Sequence, residues 1–240
     1  MSKAAAKVVA RRPISPPDSN EQGGRCASGS SEMADTDGRM LWSACQHGKV
    51  AFIRQLMHSG VEINTPVEHS RESALHIAVQ YGQLKVVQCL LNHPAIDPNA
   101  IAPYAGTPLH LAAHKGDKKM VALLLTHKAV DPNIVNEELA RMTPLMFAVQ
   151  QGNMGVLKLL LRHKAIHVNM LSSIGFSALH MAAYSAPLEV LQCLLQHPDI
   201  LVDLPAHNGT RPLQVAMSEG REDAIQLLLE AGAAPCCIAD

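Results

Sequence analysis

An all-α solenoid of stacked helix-turn-helix units, joined by β-hairpin-like loops and preceded by a disordered N-terminal tail, is the fold class this 240-residue sequence predicts. Three observations predict it. A short leucine-centred string recurs with its leucines at 41, 75, 109, 145, 179 and 213, so successive intervals are 34, 34, 36, 34 and 34 residues. Each interval holds two short apolar segments, with a glycine between them in all but one, and then a turn rich in His, Pro, Asp and Asn. Neither segment is long enough to hide its apolar face alone, so each pair has to stack on its neighbours.

Taken in order, the strings are Ser73-Ala74-Leu75-His76-Ile77-Ala78, Thr107-Pro108-Leu109-His110-Leu111-Ala112, Thr143-Pro144-Leu145-Met146-Phe147-Ala148, Ser177-Ala178-Leu179-His180-Met181-Ala182 and Arg211-Pro212-Leu213-Gln214-Val215-Ala216. A degenerate first copy is Met40-Leu41-Trp42-Ser43-Ala44. The first segment of each copy reads as a helix ended by Gly48, Gly82, Gly116, Gly152 or Gly220, where positive φ is required; the fifth copy has Ala186-Pro187 instead. The second segment reads as a helix with one apolar face, as in Val86, Val87, Leu90 and Leu91. End units of a solenoid face water. Copy one has lost the Thr-Pro start and copy six carries Arg211, Gln214, Ser218, Glu219, Glu222 and Asp223, so the array is expected to be complete in itself.

These strings resemble the ankyrin repeats, whose hallmark is Thr-Pro-Leu-His-x-Ala in a unit of about 33 residues. The resemblance covers residues 36–236 in six copies starting near 36, 70, 104, 138, 174 and 208, with Gly106 through Asn133 nearest the family pattern. It implies that the string histidines tie neighbouring repeats. It also implies a concave groove, built from hairpin tips and the exposed edge of each first helix, that binds another protein without catalysis. By position the groove takes in Tyr81, His114, Lys115, Gln150, Gln151 and Tyr184 from the helices, and Tyr104, Glu137, Glu138 and Arg141 from the tips. The tyrosines are suited either to anchor a partner or to pack on the next repeat, whereas Phe176 leans to packing. The alternative function is a regulatory or inhibitory subunit that controls an enzyme or a transcription regulator. Asn64, after Leu56 and Glu62-Ile63, matches the pattern of ankyrin asparagines that are hydroxylated; a turn asparagine bonding its own backbone is the plainer reading.

Composition narrows the partners. Twenty Lys plus Arg against 21 Asp plus Glu give a net charge of −1, which is no electrostatic footprint for nucleic acid or an anionic membrane. No apolar run approaches the roughly 18 to 20 residues that cross a bilayer. Six cysteines are too sparse for a disulfide scaffold and fit free thiols in the cytoplasm or nucleus. There is no CxxC, phosphate loop, nucleophile elbow or paired-carboxylate frame, so neither an enzyme nor a cofactor is expected. His110 and His114 have metal-ligand spacing, but the repeat already accounts for His110 and no third ligand lies near in sequence, so no metal is expected. A second periodic set, His93, His127, His163 and His197, sits at the ends of the second helices, where a partly protonated imidazole complements the helix dipole, a structural role.

The flanks are read separately. Residues 1–35 are Pro-, Gly- and Ser-rich and expected to be disordered, and residues 237–240 form a free tail. Residues 1–12 weakly resemble a mitochondrial presequence, although an untargeted basic tail is the preferred reading. Ser15, in Arg12-Pro13-Ile14-Ser15-Pro16-Pro17, has the flanks of a phosphoserine adaptor site, set against an ordinary proline-rich linker. A monomer is expected.

Overall fold

The computed structural model describes residues 29–67 and 70–235. The readings placed on Ser15, on residues 1–12 and on residues 237–240 lie outside the described residues. Among the described residues there are twelve α-helices and no strand. They pair as α1 (Gly29–Gln46) with α2 (Val50–His58), α3 (Ala74–Gln80) with α4 (Leu84–Leu91), and α5 (Pro108–Lys115) with α6 (Lys118–Leu125). The second half repeats the plan: α7 (Pro144–Gln150) with α8 (Met154–Leu161), α9 (Ala178–Ser185) with α10 (Leu188–Leu195), and α11 (Pro212–Ser218) with α12 (Glu222–Glu230). The helical backbone of α1 begins at Gly29, ahead of residue 36 where the repeat phasing starts. First helices pack on first helices in one layer and second on second in the other, which makes the stacked architecture that the period requires.

Local chemistry sets the helix ends. Thr107, Thr143 and Ser177 stand in extended backbone and their hydroxyls accept from the amides of His110, Met146 and His180, which satisfies a donor that an open helix start leaves unpaired. Pro108 and Pro144 occupy the first turn, where no amide is needed. At the other end Gly116 has φ +71°, and a Cβ there would lie 2.5 Å from the Asn153 side chain of the following repeat. Glycine therefore serves both the turn and the stack.

The six ruler leucines are buried, and so is a second set one helix later, Leu56, Leu90, Leu124, Leu160, Leu194 and Leu228. Each such side chain contributes about 1.5–3 kcal/mol on leaving water. Ala44, Ala78, Ala112, Ala148, Ala182 and Ala216 are buried between them, and a methyl group lets successive first helices approach closely.

Two hydrogen-bond series run along the stack. The Nδ1 atoms of His76, His110 and His180 accept from the backbone N–H of Ser73, Thr107 and Ser177, which leaves the proton on Nε2. Each Nε2 then meets a carbonyl of the next hairpin, Gly106 at 2.8 Å, Met142 at 3.0 Å and Thr210 at 3.0 Å. Burial drives His76 and His110 down to about 4, and lowers His180 as well. In the fourth copy Met146 fills this slot, buried and without a donor. The second series is made of asparagines. Asn64, Asn99, Asn133 and Asn169 donate through Nδ2 to Ala95, Ala129, Ala165 and Asp199, and accept through Oδ1 from the amides of Asp97, Asp131, His167 and Leu201.

This corrects one expectation. Asn64 bonds the turn of the following repeat rather than its own, because the stacked turns lie within side-chain reach. His93, His127, His163 and His197 accept at Nδ1 from the amide two residues on, so each closes its own turn.

Candidate protein-binding surface

The residues just before and after the C-terminus of each first helix line one edge of the stack, as the helix period dictates. Tyr81 and Tyr184 project there with 42% and 37% of their surface exposed. Lys115 follows His114 at the end of α5, and its ammonium donates to the Gln80 carbonyl at the end of α3, a bond between neighbouring repeats. His114 lies edge-on to Phe147, with ring centroids 5.7 Å apart, while His110 meets the same ring at 5.9 Å. Desolvation and then the Lys115 charge lower the pKa of His114. Gln150 is half-buried with its Oε1 unpartnered, and Gln151 is exposed.

The hairpins carry further exposed side chains. Tyr104 is 71% exposed and Ile101 50%, both on the third hairpin, and Ile174 on the fifth is 56% exposed. Between them the two extra residues of the long interval make a 3-10 turn, Glu137–Leu139, followed by Ala140 and Arg141 at φ +56° and +54°. Arg141 pairs with Glu137 across this turn, and Glu138 is exposed. Asn136 at its base is buried and donates to Ala102 and Pro103 of the third hairpin at 3.1 and 2.7 Å. Sequence reasoning missed that anchor, whose only signal was an Asn directly before the insertion. Phe176 packs, stacked on His180 with centroids 5.2 Å apart.

Tyr81, His114, Lys115, Gln150, Gln151 and Tyr184 thus stand at the C-terminal ends of the first helices, and Tyr104, Glu137, Glu138 and Arg141 on the third and fourth hairpins. Asn64 sits apart, in the asparagine series at the turns. Among the described residues no three His, Cys, Asp or Glu side chains gather as a metal ion requires. Both ring nitrogens of His110 are already engaged. Cys45 is buried and its thiol is pushed up to about 12 by burial and then by neighbouring Cys89, which makes it inert. No described helix is long and apolar enough to cross a membrane.

Stacked helix pairs with bonded hairpins at one edge define a repeat protein of the kind that presents an extended contact surface. The family model for ankyrin repeats matches residues 27–102, 96–172 and 145–238, and the chain belongs to the ankyrin-repeat family. Its fold is similar to the ankyrin repeat domain of Bcl-3, described as a member of the IkappaB protein family, with a TM-score of 0.74, 24% identity and coverage of 81% of this chain and 86% of that one. It is also similar to an ankyrin repeat domain from Acinetobacter baumannii, with a TM-score of 0.71, 24% identity and coverage of 81% and 98%. At these identities the likeness is one of fold. A mouse 2-5A-dependent ribonuclease is 37% identical over 84 residues, which is 35% of this chain and 11% of that protein, so the chain spans a small part of its length. Ankyrin repeats mark a protein–protein interaction module.

Proposed function

We propose that this chain is a non-catalytic adaptor that works as a monomer in the cytoplasm or nucleus and binds a partner protein through its concave edge, without metal or cofactor. The observation that carries this reading is the row of exposed aromatic side chains on bonded backbone: Tyr81, Tyr184 and, on the adjoining hairpin, Tyr104. Rigid amphipathic rings lose little entropy on docking and are favoured interface anchors. Crosslinked affinity purification with the full chain, compared with the Tyr81→Ala, Tyr104→Ala, Tyr184→Ala triple variant, tests it. A stoichiometric partner lost in a variant whose circular dichroism is unchanged supports the reading; a partner that is retained places binding elsewhere. Asn64 and Ser15 are proposed modification sites, checked by mass spectrometry for an added oxygen atom on the first and a phosphate on the second.

A further inference from the structure

We propose that the tips of the third, fourth and fifth hairpins form one preorganised platform for a partner segment in which two apolar anchors flank a basic residue. The inference rests on the protein-binding reading above and narrows it to a partner chemistry.

Exposure supplies the first argument. Tyr104 and Ile174 are the two most exposed large apolar side chains among the described residues, at 71% and 56%, and Ile101 adds to the first site at 50%. Neither site is covered by a neighbouring repeat, so the favourable burial of these atoms is left for a partner.

Rigidity supplies the second. These three hairpins are bonded to one another across repeats, through the Asn136 amide to Ala102 and Pro103 on one side and through the Ser173 N–H to the Ala140 carbonyl, at 2.8 Å, on the other. Tips held in place before contact lose little conformational entropy when a partner arrives.

Charge supplies the third. The middle tip holds Glu137, Glu138 and Arg141, and the guanidinium is taken up by Glu137. Glu138 is exposed and forms no ion pair among the described residues, so the middle of the platform carries one surplus negative charge between two apolar ends. A basic side chain opposite it completes the match, and an acidic one is repelled. Helices that stack at separations of about 8–10 Å put the outer tips about 20 Å apart, which is about six residues of extended chain or about thirteen of helix.

The test uses the full chain as bait for a displayed library of random peptides long enough to reach both outer tips. Three variants are panned in parallel: Glu138→Lys, Tyr104→Ser with Ile174→Ser, and Tyr81→Ala with Tyr184→Ala. All substitute exposed side chains, and circular dichroism verifies the fold. The expected result is enrichment of peptides with an apolar, basic, apolar order. Their affinity should fall about tenfold or more for Glu138→Lys, which should select acidic centres instead, and they should be lost from the double-serine variant. Peptides whose central residue and affinity ignore Glu138→Lys, or that survive loss of Tyr104 and Ile174, overturn the platform. If binding then depends on Tyr81 and Tyr184, the protein-binding reading stands without it; if no peptide is enriched on the chain, both are overturned.

Discussion

Replacing Arg221 by alanine is expected to loosen the last repeat selectively. In the other copies the final carbonyls of the first helix are met by two amides, as when Gly116 N–H bonds Ala113 and Asp117 N–H bonds Ala112. The fifth copy lacks that device. Ala186 is extended at φ −72° and ψ 158°, and Pro187 has no N–H to give. The guanidinium of Arg221, from the next repeat, donates to Ala182 at 2.6 Å and Ala183 at 3.0 Å, the carbonyls equivalent to those two, and also to Ala186. Charge-assisted bonds of this kind are each worth about 1.5–3 kcal/mol and do not add fully, while the cation also complements the helix C-terminus. Arg221→Ala should therefore cost about 3 kcal/mol, and Arg221→Lys, with its single point of charge, about half that. In a solenoid the loss stays near the broken interface. Amide exchange in residues 206–235 should speed up about a hundredfold while residues 74–125 change little. Restoring the amides with Ala186→Gly and Pro187→Asn should rescue most of the loss. A cost below about 0.5 kcal/mol, or a loss spread evenly along the chain, would refute the argument.

Three further outcomes follow from the same contacts. Gly175 and Gly209 share φ near +80°, but a Cβ on Gly175 would sit 2.2 Å from the His207 backbone nitrogen while one on Gly209 meets nothing within 4 Å. Alanine at 209 should cost about 1–2 kcal/mol of backbone strain, and alanine at 175 clearly more in chemical denaturation; equal costs would remove the role of the clash. Asp203 ends the asparagine series, accepting from Ala234 through Oδ2 with Oδ1 buried and unpartnered, so Asp203→Asn should gain about 1 kcal/mol in the last repeat, and a loss in thermal melts would count against it. His76 and His110 titrate near 4 when folded against 6.5 when unfolded, so the unfolded chain binds more protons between those values. Their contribution is full above pH 6.5 and lost as pH falls toward 4, about 3 kcal/mol for each, and His110→Gln should flatten the acid limb of the stability profile.

The repeat is legible because it is written in residues that answer local demands. Leucines 34 or 36 apart mark the buried face, glycines mark the αL turns, and Ser or Thr two residues before the leucine marks the start of four of the first helices. The resemblance carried by those strings also places the histidine ties. Less legible are the contacts whose partners lie one repeat away. Lys115 reads as a groove residue, and nothing in the sequence shows that its ammonium also donates to the Gln80 carbonyl, 35 residues back. Asn64 reads as a turn residue and reaches the next turn instead, while the departure at Ala186-Pro187 gives no hint that Arg221 repairs it.

What this sequence determined alone is the unit and its period, since propensity, capping and the 3.6-residue spacing of apolar side chains act within a few residues. Which polar groups meet across the stack was decided only by the tertiary structure. A donor and an acceptor some 30 to 39 residues apart become neighbours through the rise and lateral placement of one repeat on the next, a geometry set by how alanine and leucine faces pack. That packing bonds the middle hairpins through Asn136 and Ser173, and leaves Tyr104 and Ile174 facing solvent on either side of Glu138.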